Sequence, residues 1–328
     1  TGITEVVTPP ARASPNSTAI FFVLYRFICI SFFVRVEHLY LQDGTNCKLF
    51  AKASGNEHLL NLINWSTMKF RCRTIRKICV DYGAPVTNSL RLLRIFPPHR
   101  RGGQSVESLD WRCDPKESTF GVRTDDFGNQ ILGLSHQHIA TRFTFEMELV
   151  TVHESTFDGV PLETGLTETH LQPFLMPSAL ADFNGVMLPM ARALQGQPVS
   201  EICAAVYDLL RYEQGNTSVD TPASVALAQQ NGVCQDFAHL MISFCRALQI
   251  PARYVAGYSP TEGAMHAWVE VLQDNIWQAW DPTHNQRTLP ECVFVAAGRD
   301  FKDVAPLTGT YQGPPNPKLE VHCVTKVL

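Results

Sequence analysis

The segment CQDFAHLMISFCRALQI (Cys234–Ile250) carries Phe237, Leu240, Met241, Phe244, Cys245 and Leu248 at three- and four-residue spacing, the mark of a helix with a buried face. Pro251 closes it, and three strand patterns follow: ARYVAGYS, HAWVEVL and IWQAWDP. Two further helix patterns precede it. EICAAVYDLLRYEQ (Glu201–Gln214) sets Ile202, Val206, Leu209 and Leu210 on one face, and TPASVALAQQNG (Thr221–Gly232) opens with Thr221 as N-cap and Pro222 at the first helical position. The C-terminal half is therefore a mixed helix-and-strand region, with Cys234 at a helix N-terminus just after Gly232.

That position matters chemically. The first turn of a helix has N–H groups without intrahelical acceptors and the positive end of the dipole. Both favour a thiolate, the nucleophilic form of cysteine, and the same N–H groups can hold an oxyanion. His266 opens HAWVEVL, with Trp268 two residues on along the same face, and Asp281 ends IWQAW. If Asp274–Asn275 form a two-residue hairpin turn, Gln273 faces Ile276 and Trp268 faces Asp281. His266 and Asp281 are then diagonal neighbours on one face, roughly 7–8 Å apart at the backbone. A three-residue loop without a bulge would put them on opposite faces. In such a constellation Cys234 attacks an acyl carbon, His266 carries the proton, and Asp281 orients the imidazole.

Other residues read as structural. His239 lies five residues into the Cys234 helix, about 140° off the Cys234 face, and is expected to pack or bond to the backbone. Asp236, in the first turn, suits the dipole as a stabilising surface or capping residue. Cys245 falls on the apolar stripe. His284 joins Cys234, His239 and His266 as a possible zinc set, but no CxxC or HxxxH element accompanies them, so no metal and no cofactor are expected. Trp268, Trp280 and Tyr258 read as core, with one or two able to wall a cleft. No second oxyanion donor is identifiable in the sequence, Gln229 and Gln230 being the candidates considered.

Upstream, IRKICVDYG and APVTNSLRLLRIFPP read as strands broken by Pro85, Pro97 and Pro98. A TDDFGNQ hairpin turn (Thr124–Gln130) and the alternating run ATRFTFEMELVTVHE (Ala140–Glu154) follow. In that run Phe143, Phe145, Met147 and Leu149 mark the inward face of an antiparallel strand. Residues 1–74 lack clean periodicity and read as an atypical, poorly ordered extension. They include the basic stretch Lys69–Lys77 and the apolar run Ala19–Val34. That run is shorter than the roughly 20 residues of a spanning helix and is interrupted by Arg26, so membrane association is not expected. Neither a positive n-region nor a small-residue cleavage site frames it as a signal peptide.

GVCQDFAHLMISFCRALQIPARYVAGY (Gly232–Tyr258), HAWVEV (His266–Val271) and WDPTHN (Trp280–Asn285) resemble the nucleophile helix, histidine and aspartate motifs of bacterial transglutaminase-like proteins. AAGRDFKDVAPLTGTYQG (Ala296–Gly313) and LEVHCV (Leu319–Val324) resemble that family's C-terminal tail. The stretch from Ile75 to Glu154 resembles its N-terminal domain. The resemblance implies an α+β fold: a papain-like core, its Cys helix packed on an antiparallel sheet, preceded by a small β-rich domain. It implies catalytic roles for Cys234, His266 and Asp281. It does not single out a reaction, since the family includes transglutaminases, thiol proteases, amidases and inactive relatives. The organisation expected is an extension over 1–74, a β-rich domain over 75–163 and a catalytic domain over 164–328.

The 328 residues allow two domains at roughly 100–200 residues each. At 45% hydrophobic and 18% charged residues the chain can bury a core, and a net charge of −4 offers no basic field for nucleic acid. Ten scattered cysteines form neither a disulfide framework nor a zinc motif, which fits a reducing, cytoplasmic setting. The expected partner is a peptide or protein amide substrate. Hydrolysis through a thioester is slightly preferred over amine transfer, with an inactive peptide-binding scaffold as the rival, and the oligomeric state is not legible.

Overall fold

A computed structural model describes residues 68–155, 160–161, 168–183 and 185–328, and the apolar run Ala19–Val34 lies outside them. Among the described residues no helix is long and apolar enough to cross a membrane. In the first part of the chain the longer strands are β1 (Met68–Asp81), β2 (Val86–Leu93), β3 (Gln104–Asp114), β4 (Thr119–Thr124), β5 (Gln130–Ile139) and β6 (Arg142–Ser155). The helices follow: α1 (Glu168–Leu171), α2 (Met187–Arg192), α3 (Val199–Leu209), α4 (Ala223–Gln229) and α5 (Cys234–Ala247). Next come β7 (Ala252–Tyr258), β8 (Met265–Gln273), β9 (Ile276–Asp281) and β10 (Val293–Gly298), then α6 (Phe301–Val304), β11 (Leu307–Gln312) and β12 (Lys318–Val327).

β1 begins inside the segment read from sequence as an unpatterned extension, so Met68–Thr74 is strand. The alternation was masked by which residues face in. Thr74 and Arg76 sit at buried positions between Cys72 and Ile78, while Ile75 faces out among Arg71, Arg73 and Lys77. Thr74 meets Thr325 of β12 hydroxyl to hydroxyl at 3.0 Å, and the Arg76 guanidinium lies 5.9 Å from the Tyr258 ring centre. β6 has the expected inward face, Phe143, Phe145, Met147 and Leu149, all buried. The turn between β4 and β5 is closed by Asp125, whose Oδ1 accepts from the N–H groups of Phe127 and Asn129 at 3.0 and 2.9 Å.

The C-terminal tail completes the N-terminal sheets. β12 pairs β1 in a five-stranded antiparallel sheet, and β11 pairs β2 in a four-stranded one. These sheets are joined to the helix-bearing half by paired side chain–backbone hydrogen bonds. Gln104 bonds both N–H and C=O of Phe294 at 2.8 and 2.9 Å, and Asn129 bonds both groups of Ala297 at 2.8 Å. Tyr258, fully buried, donates its hydroxyl to Ile95 O at 2.7 Å. It is core, not cleft wall.

The third sheet has six strands, and its longer ones run β9–β8–β7–β10, with β10 at one edge. α5 packs on β8 and β7 and is flanked by α2, α3 and α4. It is not a one-faced helix. Every residue from Gln235 to Arg246 is buried, so its polar positions are inside as well. Two other helices differ from the sequence reading. α3 ends at Leu209, because Arg211–Tyr212 leaves it to form a short parallel pairing with Asn231–Gly232. α4 starts at Ala223 after Pro222, and Thr221 does not cap it: its hydroxyl instead accepts from Ser218 N at 2.9 Å.

Arg246 anchors the end of α5. Its fully buried guanidinium donates to Ala252 O at 3.2 and 3.0 Å, Met176 O at 3.1 Å and Arg299 O at 2.6 Å. Burial pushes its pKa down to about 10, with Asp300 opposing the shift. Arg246→Leu strands several carbonyls without donors, so guanidinium denaturation is expected to show a stability loss of at least about 3 kcal/mol.

Candidate active site

Cys234 is the first residue of α5, half-buried, with Val233 as an extended N-cap. Asp236 folds back under this start. Its Oδ2 accepts from Val233 N at 2.8 Å and from the Thr217 hydroxyl at 2.7 Å, so it is a capping residue, but a buried one and not a surface one. Burial pushes its carboxyl up, and the Val233 and Thr217 hydrogen bonds oppose this. Gly232 makes the fold-back possible: a Cβ there would come within 2.6 Å of Asp236 Cβ and 2.7 Å of its Oδ2.

The hairpin joining β8 to β9 is the two-residue turn Asp274–Asn275, with φ of 49° and 60°. Gln273 pairs with Ile276 and Val269 with Trp280, the register that makes Trp268 and Asp281 neighbours. His266 and Asp281 accordingly meet, His266 Nε2 lying 2.8 Å from Asp281 Oδ2. Both are buried, at 2% and 4% exposure. Asp281 Oδ1 accepts from Thr283 N at 3.0 Å, and Oδ2 also receives His284 Nδ1 at 2.9 Å.

Burial alone would lower the His266 pKa. The Asp281 hydrogen bond and then the nearby Cys234 override it and raise the value to about 10. Burial would likewise raise the Asp281 pKa, but its hydrogen bonds from His266 and His284 hold it well below the usual carboxylate range. Nε2 is committed to Asp281, and Nδ1 is the ring nitrogen left without a closed hydrogen bond. Nδ1 is therefore the one available to the Cys234 thiol. The structure thus brings Cys234, His266 and Asp281 together.

His239 does not join them. It is fully buried, accepts from Phe301 N at 3.1 Å through Nε2, and has its pKa lowered by burial. Cys245 is core, its thiol pushed up to about 12 by burial. His284 belongs to the site as a second donor to Asp281, with its side chain 43% exposed. Ligating atoms of His266, Asp281 and His284 lie within 4.8 Å of one another, close enough for a metal ion, but they already meet in the hydrogen bonds described. Gln229 and Gln230 are exposed, and Gln230 ends α4 in the left-handed region at φ 56°.

Two neighbours escaped the sequence reading. Tyr212 pairs with Gly232 through the parallel bridge, and its ring centre is 6.4 Å from that of Phe237. Burial and then Cys234 raise its pKa, and the bridge sets it opposite Gly232, two residues before the start of α5. Glu262, on the turn before β8, has Oε1 3.9 Å from His266 Nδ1. Neither has a local signature, because the chain's return from α3 to the start of α5 is a tertiary event. A separate cavity of about 390 Å³, lined among others by Arg101, Trp268, Glu270, Trp277 and Arg287, includes none of Cys234, His266 and Asp281.

Comparison with known proteins agrees with this architecture. Residues 184–282 match the transglutaminase-like superfamily, and residues 75–151 match the bacterial transglutaminase-like N-terminal region. An uncharacterised protein of Mycobacterium leprae is 29% identical over 269 residues, covering 74% of this chain and 94% of the relative. An uncharacterised protein of Mycobacterium tuberculosis (strain H37Rv) is 34% identical over 125 residues, covering 33% of this chain and 40% of the relative. The crystal structure of a candidate cysteine protease from Cytophaga hutchinsonii superposes with a TM-score of 0.67 at 23% identity, covering 80% of this chain and 93% of that one, and so shares the fold. The chain belongs to the transglutaminase-like superfamily and carries the bacterial transglutaminase-like N-terminal region before its core.

The raised His266 pKa has a sign that can be tested. Its contribution to stability is fully present below the ordinary value of 6.5 and is lost as pH rises through about 10. Imidazole NMR titration of His266 is expected to show a ring still protonated at pH 8. A midpoint near the ordinary value would contradict the ion-pair geometry.

Proposed function

We propose that this protein is a thiol acyl transferase or hydrolase acting on peptide or other amide bonds through a thioester on Cys234. The observation that carries this is the arrangement of His266: Nε2 held by Asp281 at 2.8 Å, Nδ1 unbonded, and Cys234 alongside at the N-terminus of a buried helix. The Cys234 thiolate attacks the carbonyl carbon, and the oxyanion meets the first-turn N–H of α5. The Tyr212 phenol is the second donor on this reading, taking the place considered for Gln229 and Gln230. As the tetrahedral intermediate collapses, His266 Nδ1–H gives its proton to the leaving nitrogen. Water or an amine then attacks the thioester, Nδ1 takes its proton, and Cys234 leaves as thiolate. Asp281 stabilises the imidazolium before and after acylation and fixes the tautomer of the neutral ring in between.

Hydrolysis is preferred because water needs no second binding site, and amine transfer follows from the same acyl-enzyme. A cytoplasmic, reducing location goes with this chemistry, which needs Cys234 as a free thiol. The eight cysteines among the described residues are free.

The test is alkylation by iodoacetamide at pH 7, read by mass spectrometry at each cysteine. Cys234 is expected to react well ahead of Cys245, and His266→Ala to slow it by at least about tenfold. Equal rates in wild type and variant would remove the basis for this function. Asp281→Asn is expected to lower turnover of an ester probe by about 10²-fold or more while Cys234 remains alkylatable.

A further inference from the structure

Glu262 stands out among the acidic groups near the site. It sits on the turn between β7 and β8, where its N–H bonds Ser259 O at 3.3 Å. Ser259 is itself buried and fixes the turn through Thr261, hydroxyl to hydroxyl at 2.8 Å and N–H to hydroxyl at 3.3 Å. Buried Glu270, by contrast, is neutralised by Arg101 and Arg253, and Asp303 by Arg299. Among the described residues Glu262 has no lysine or arginine partner, and its one cationic neighbour is His266, at 3.9 Å from Nδ1. Its side chain is 30% exposed, enough to meet a ligand. Glu262 thus borders the ring nitrogen that faces the reacting groups.

The position has a chemical meaning that rests on the acyl-transfer reading above. Nδ1 hands its proton to the leaving nitrogen and later takes one from the incoming nucleophile. Whatever substituent that nitrogen carries must pass the groups around Nδ1, and by microscopic reversibility the leaving amine and an accepting amine use the same subsite. A carboxylate there with no lysine or arginine partner attracts a cation and repels an anion.

We propose that Glu262 is a specificity residue that selects amines bearing a second, positively charged nitrogen, as the leaving group of the amide cleaved and as the acceptor in transfer. In transfer, the neutral nitrogen of such a diamine attacks the thioester carbon and gives its proton to His266 Nδ1. The C–S bond breaks, Cys234 leaves as thiolate, and the second, protonated nitrogen stays paired with Glu262.

The test acylates Cys234 of the full chain with p-nitrophenyl acetate and follows deacylation by 1,5-diaminopentane and by pentylamine at equal concentration. The readout is the ratio of the two second-order rate constants, which cancels any general change in reactivity. Wild type is expected to favour the diamine by about tenfold, Glu262→Gln to bring the ratio near the statistical value of about two set by the two equivalent nitrogens, and Glu262→Lys to favour pentylamine. A p-nitrophenolate burst with the same ratio in wild type and Glu262→Gln would overturn the assignment to Glu262 and leave the acyl-enzyme standing. A wild-type protein giving no burst would overturn the acyl-enzyme reading and this proposal with it.

Discussion

Helix α5 has no solvent face, and much of the molecule is arranged around that constraint. A polar group buried without a partner is costly, so each polar side chain on α5 has been given one. Asp236 takes Val233 N and Thr217, Ser243 takes His239 O, His239 takes Phe301 N, and Arg246 takes carbonyls from three separate stretches of chain. These bonds tie the helix to the segment before it, to β7 and to α6. Cys234 is consequently a thiol at the end of a rod held at both ends. Its side chain can be presented to His266 without the freedom of a loop cysteine.

The electrostatics of the site follow from one shared acceptor. Asp281 Oδ2 receives both His266 and His284, and its Oδ1 receives Thr283 N. Three donors on one buried carboxylate keep it ionised, and an ionised Asp281 is what keeps the buried His266 ring charged against its own desolvation. The outer imidazole, His284, is the solvent-facing member of this set. The site is thus a buried charge network opening toward solvent on the side of Glu262 and His284.

Elements with one strong local period were legible. β6 showed its inward aromatic face, the Asp274–Asn275 turn fixed the register of the β8–β9 hairpin, and the turn at Asp125 was marked by its acid and glycine. β1 was not legible before Ile75, because its inward positions hold Thr74 and Arg76, whose partners Thr325 and Tyr258 come from distant parts of the chain. α3 and α4 were each misjudged at one end. The short parallel bridge before Cys234 and the use of Thr221 by Ser218 depend on contacts that no local window contains.

The sequence by itself determined the helix beginning at Cys234, the three strands that follow it and the hairpin register that puts His266 and Asp281 on one face. Each of these is written in residue spacing or in a two-residue turn. Only the tertiary structure decided which ring nitrogen of His266 stays free, that His284 shares Asp281, that Tyr212 pairs with Gly232 just before the nucleophile, and that Glu262 borders His266 Nδ1. It also decided that the last two strands complete the first two sheets. Those outcomes rest on groups brought together across long stretches of chain, where burial and the pull to give buried polar groups a partner, and not local preference, set the contacts.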